Sequence, residues 1–171
     1  MVKEDQVKGL YFQMIDQLLT EYNPEVAEEA AKELSFDIKT IKPGDWLPRA
    51  EINKYIPKVS PQAREAMAKR IYPTIKANTP LLDDAKNPID VIKKMNEVAK
   101  LTSKGLSPEY HVIESKEGHL KVRVINEFPN YPDIVEGEFK GLFELFKILR
   151  VNINTEKVSD KELLMEIKWE P

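Results

Sequence analysis

The stretch Ile134–Arg150, IVEGEFKGLFELFKILR, constrains this chain more than any other. Its apolar residues Val135, Phe139, Leu142, Phe143, Phe146 and Leu149 recur at helical intervals and fall on one stripe of an α-helix. A stripe carrying several phenylalanines needs a cover. Candidate strands flank it: His119–Phe128 before, Val151–Asn154 and Leu163–Trp169 after. The simplest burial lays the helix across a sheet made by those neighbours, which predicts an α+β fold with a four-stranded antiparallel sheet in ββαββ order. The 171 residues suffice for one domain with a real core, with a helical part over 1–106 and the ββαββ part over 107–171.

The first half reads as helices. Val7, Leu10, Tyr11, Met14, Ile15, Leu18 and Leu19 make a continuous apolar face, predicting a helix from Glu4 to Tyr22. Asn23-Pro24 ends it and caps a second helix whose Val26, Ala27, Ala30, Ala31 and Leu34 face inward, giving a helical hairpin. Residues Asp37–Pro48 read as a loop anchored by Trp46, followed by a short helix over Arg49–Ile56 stopped by Pro57. Ser60-Pro61 opens the next helix, which Pro73 should kink or end near Tyr72. After the connector Asn78–Lys86, Asn87-Pro88 caps a helix over Ile89–Ser103, with Ile92, Met95, Val98, Ala99 and Thr102 inward and Gly105 as terminator. Then the period changes to two. Tyr110–Ser115 and His119–Phe128 form a hairpin over Lys116-Glu117-Gly118, and Thr155–Lys161 is the turn region of the second hairpin.

Composition narrows the function classes. Lys+Arg total 26 against 29 Asp+Glu, and the basic residues are scattered, which argues against nucleic acid as the partner. The absence of cysteine excludes disulfides, thiol catalysis and thiolate metal sites, and fits a reducing compartment. No apolar run approaches the roughly 20 residues that span a bilayer, and MVKEDQVKG has no signal-peptide core, so the expectation is a soluble cytoplasmic protein without a membrane span.

Catalytic and metal motifs are missing. There is no G-x-S-x-G, no glycine-rich phosphate loop and no H-E-x-x-H. The two histidines, His111 and His119, could pair across adjacent strands, but no third ligand stands at a diagnostic spacing, so they read as sheet-surface residues. Glu28-Glu29 and Asp83-Asp84 read as solvated, and Glu136 and Glu138 as partners of a helix dipole. Gly137 and Gly141 each cost a helix about 1 kcal/mol relative to alanine. They imply close approach of another backbone or of a ligand, unless Gly137 merely belongs to the helix start. Phe12, Phe128, Phe139, Phe143 and Phe146 could line a pocket or simply fill a core.

Three segments carry a family resemblance. VKGLYFQMIDQLLTEYNPEVAEEAAKEL looks like the first two helices of the heme nitric-oxide/oxygen-binding superfamily, MNEVAKLTSKG resembles its heme-proximal helix, and EFPNYPDIVEGEFKGLFELF resembles its strand-to-helix passage. The pattern is shared with four-vinyl-reductase-type ligand-binding domains, with transport-particle subunits, and with bacterial paralogues of unknown function that carry a tryptophan near the end of the last strand, here Trp169. The resemblance places the family's heme-ligating histidine at Ala99 and its Tyr-x-Ser-x-Arg propionate clamp on Phe128, Asn130 and Pro132. A methyl group cannot ligate iron, and neither asparagine nor proline replaces an arginine fork. The resemblance thus implies a non-enzymatic, heme-free signalling or sensor domain with no cofactor. Its pocket would lie between the central helix and Ile89–Ser103, lined by Met95, Val98, Ala99, Phe128, Phe139, Leu142 and Phe143, and would hold a small apolar ligand. The alternative is an interaction module, a homodimer touching through the first or the central helix as in transport-particle subunits.

Overall fold

A computed structural model describes residues 4–170. The chain runs β1 (Gln6–Lys8), α1 (Gly9–Tyr22), α2 (Pro24–Glu33), β2 (Trp46–Pro48), 3₁₀ turns at Arg49–Lys54 and Ile56–Lys58, α3 (Pro61–Ala68) and α4 (Ile71–Asn78). It continues through α5 (Pro88–Thr102), β3 (Ser103–Lys104), β4 (Glu109–Lys116), β5 (His119–Ile125), α6 (Pro132–Glu144), β6 (Val151–Ser159) and β7 (Glu162–Trp169). Three helix starts follow the expected chemistry. Asn23 Oδ1 accepts from the Val26 amide at 3.2 Å, Ser60 Oγ from Ala63 at 3.3 Å and Asn87 Oδ1 from Asp90 at 3.0 Å, each just ahead of a proline. Each such cap contributes about 1 kcal/mol.

The large sheet has strand order β4-β5-β7-β6, antiparallel throughout, so the ββαββ order of the sequence becomes a sheet whose last strand lies inside. Leu120, Val122 and Val124 of β5 alternate inward with Leu163, Met165 and Ile167 of β7, and all six are buried. Val135, Phe139, Leu142 and Phe143 of α6 complete this core, and Phe143 meets Trp169 edge-on at 5.0 Å between ring centroids. A second core, around Phe12, Leu19, Tyr55, Ile56 and Ile134, fills the helical lobe. Phe128 packs against both.

Four expectations need correction. The first helix does not begin at Glu4: Gln6–Lys8 pairs with Trp46–Pro48 and Ser103–Lys104 in a second, three-stranded sheet. Trp46 is held there between two ammonium groups, Lys8 Nζ at 3.9 Å and Lys104 Nζ at 4.0 Å from its ring. The central helix ends at Glu144 rather than Arg150. Lys147 has φ 62°, and the amides of Phe146 and Ile148 both return to the Phe143 carbonyl, so the chain turns away and Leu149 is left exposed. The helix break comes at Lys69-Arg70, before Pro73, which occupies the third position of α4 where its missing amide has no intrahelical partner to lose. Finally, most of Thr155–Lys161 is strand, with only Asp160-Lys161 left as the turn of the β6–β7 hairpin.

Candidate functional site

The glycine pair shows how α6 is seated. A Cβ at Gly137 would collide with the Glu65 carbonyl oxygen, and one at Gly141 with the carbonyl of Lys69. The close approach is therefore of α3 backbone, not of a ligand. Ion pairs rim the contact: Arg64–Asp133 at 2.6 Å, Lys140–Glu65 at 2.6 Å and Lys69–Glu144 at 2.6 Å. With α3 on one side and the sheet on the other, α6 has no free contact face.

A cavity of about 160 Å³, partly open to solvent, lies at the seam between the helical lobe and α5. Tyr11, Met14 and Ile15 of α1, Met67 of α3, Ile71 and Tyr72 across the α3–α4 break, and Met95, Val98 and Ala99 of α5 form its walls. Three methionines make those walls adaptable. Of the residues expected to line a pocket, Met95, Val98, Ala99 and Phe128 do so. Phe139, Leu142 and Phe143 do not: all three are fully buried against the sheet on the far side of α6. The reason is the helical period, which turns their stripe away from the face that carries Ile134 and Glu138.

Three polar residues at the cavity escape any reading of motifs. Arg49 reaches in from the 3₁₀ turn and donates to the carbonyls of Leu106 at 3.2 Å and Asn126 at 2.7 Å and to Glu127 Oε2 at 3.0 Å. Glu127 is buried, and burial pushes its carboxyl up against the opposing pull of Arg49. Glu138 is 6 % exposed, and burial pushes its carboxyl well above the usual range, with the charge of Glu127 adding to the effect. Glu138 is thus not a partner of the helix dipole, as its place near the N-terminus of α6 suggested. The available signal was its spacing: it sits four residues after buried Ile134, on an otherwise apolar stripe. Among the cavity's tyrosines, Tyr11 shares a hydrogen bond with Thr102 Oγ1 at 3.1 Å, and burial raises the hydroxyls of Tyr72 and Tyr110 far above their ordinary value.

The two histidines lie elsewhere. His111 stands opposite Arg123 and His119 opposite Lys116, so they sit at opposite ends of the β4–β5 hairpin. His111 pairs with Glu109 at 2.9 Å and His119 with Glu166 at 2.9 Å. Of the positions matched to a propionate clamp, Phe128 lines the cavity with φ 40°, Asn130 accepts from Lys157 Nζ at 2.8 Å, and Pro132 begins α6. Among the described residues, no group of three side chains could hold a metal ion. No helix among them is long and apolar enough to cross a membrane.

A helical lobe closed over a ββαββ sheet, with a cavity where the two meet, defines an α+β fold of two lobes. The fold is that of the heme nitric-oxide/oxygen-binding (H-NOX) domains. A variant of the Fe(II) unliganded H-NOX protein from K. algicida superposes with a TM-score of 0.78 at 17% identity, covering 96% of this chain and 97% of that one. A variant of the T. tengcongensis H-NOX gives 0.75 at 16% identity, over 96% and 98% of the two chains. An oxygen-binding H-NOX domain related to soluble guanylate cyclases gives 0.70 at 18% identity, over 94% and 93%. In sequence alone, no family model and no curated protein matches.

Proposed function

We propose that this chain is a single, non-enzymatic H-NOX-like domain that has given up heme and binds a small, largely apolar molecule as a cytoplasmic sensor or regulatory module. The observation that carries the reading is the cavity at the lobe seam, whose α5 wall presents the methyl group of Ala99 beside Met95 and Val98. Neither histidine is on its lining. Its acidic wall suits heme propionates poorly, because the Arg49 guanidinium is already engaged by Glu127. Size argues in the same direction. A cavity of about 150 Å³ holds a benzene ring, and the 160 Å³ here matches one ring rather than a tetrapyrrole. The residues present therefore do not fit the family's cofactor, and the pocket residues we assign are Met95, Val98, Ala99 and Phe128.

The test has two arms. Protein expressed with excess heme precursor, then purified, is expected to show no Soret band; a stoichiometric band would overturn the heme-free reading. Toluene, a one-ring apolar probe, is expected to raise the melting temperature in a saturable way. No shift at its solubility limit would remove the ligand-binding reading.

A further inference from the structure

Glu138 is an ionisable side chain at the cavity that no ion pair or hydrogen bond among the described residues engages. It is 6 % exposed, it lines the cavity, and among the described residues no hydrogen-bond donor pairs with its carboxyl group. A buried carboxyl group without a partner is costly, so its retention at a cavity wall asks for a partner that arrives from outside. The charges at the wall say of which sign. Arg49 is the guanidinium acting on both carboxyls, and it is bound to Glu127 and to the Leu106 and Asn126 carbonyls. The other cations on the lining, Arg64 and Lys94, are paired with Asp133 and Asp84, so an ionised Glu138 would leave the wall short of one positive charge. Apart from these and Ser103 the lining is aliphatic and aromatic, and the volume is that of one ring.

We infer that the cavity selects small primary amines with an apolar body of about one ring, the ammonium pairing with Glu138 while the body lies among Met95, Val98, Ala99 and Phe128. The inference rests on the reading of the cavity as a binding site and adds the chemical class of what enters it. Burial holds Glu138 toward its neutral form, and an incoming ammonium supplies the charge that lets the carboxyl ionise, its proton passing to solvent. A neutral isostere gains only the apolar contacts.

Benzylamine and toluene are the probes, titrated calorimetrically into the whole chain at neutral pH and fixed ionic strength. Benzylamine is expected to bind about tenfold or more tightly than toluene, the difference that one charge-assisted hydrogen bond supplies in a desolvated site. That preference should vanish in Glu138→Gln. Toluene binding with no amine preference in the unmodified chain would overturn this inference and leave the binding-site reading standing. An amine preference that survives in Glu138→Gln would also overturn it. If neither probe binds, both statements fail together. The comparison within the unmodified chain needs no variant to fold.

Discussion

The guanidinium of Arg64 on α3 grips the carboxylate of Asp133 at the start of α6 through two bonds, Nε to Oδ2 at 2.6 Å and Nη2 to Oδ1 at 3.1 Å. The same guanidinium donates to the Val59 carbonyl at 2.8 Å and lies 4.9 Å from the Tyr131 ring. Both side chains are mostly buried, with 13% and 20% left exposed. Asp133→Ala would strand a largely desolvated guanidinium whose charge the pair now holds in place. The expected loss is about 3 kcal/mol of unfolding free energy, read as a lower urea midpoint at unchanged slope.

Gly141→Ala gives a test with an inverted sign. At an ordinary helix position this change stabilises by about 1 kcal/mol. Here the added methyl would meet the Lys69 carbonyl, so α3 must move off α6. The expected result is a destabilisation of about 1–3 kcal/mol, as in other overpacked contacts. A stabilised variant would mean that the two helices lie farther apart.

These two contacts also show where the sequence was legible. The apolar stripe of α6 through Phe143, the β4–β5 hairpin ahead of it and the three caps that stand just before a proline each carry a periodic or chemical signature in consecutive residues, and they appear where expected. The three-stranded sheet does not. Strands of three, three and two residues are too short to display alternation, and their partners lie some 40 and 100 residues away. The exposed half of β6 likewise carries no strand signature, because Thr155–Lys157 faces little core and shows no apolar period. The cavity was legible only in part. Met95, Val98 and Ala99 make the same inward stripe whether they meet a neighbour or a void, since periodicity reports which way a residue faces and not what it touches. Arg49 and Glu127 are 78 residues apart, and nothing local marks them as a pair.

The buried carboxyls set a pH dependence. Burial raises Glu138 and Glu127 above the unfolded value of 4.5, and raises Asp16 as well. A carboxyl with a raised folded-state pKa holds its proton more tightly when folded. Its contribution is therefore complete below pH 4.5 and is lost as pH rises toward the folded value. Exposed carboxylates with lowered values, such as Glu114 and Glu166, act in the opposite direction and at lower pH. The unmodified chain should lose unfolding free energy as pH rises above the unfolded value of 4.5, and Glu138→Gln should flatten most of that fall. Urea titrations at several pH values read both slopes, and parallel curves would show that Glu138 is solvated in the folded chain.

Ala99→Leu asks whether the space at the lobe seam is real. Ala99 is 5 % exposed and its methyl forms part of the cavity wall. In a filled core the larger side chain would force neighbours off their rotamers at a cost of about 1–3 kcal/mol. In a cavity of 160 Å³ the added isopropyl group has somewhere to go, because a whole benzene ring fits a void of about 150 Å³. The expected outcome is therefore a stability within about 1 kcal/mol of the unmodified chain, together with loss of the toluene-induced rise in melting temperature. The two readouts separate the cases. A large destabilisation would mean that Ala99 faces packed side chains, whereas neutral stability with toluene still bound would place the probe away from α5.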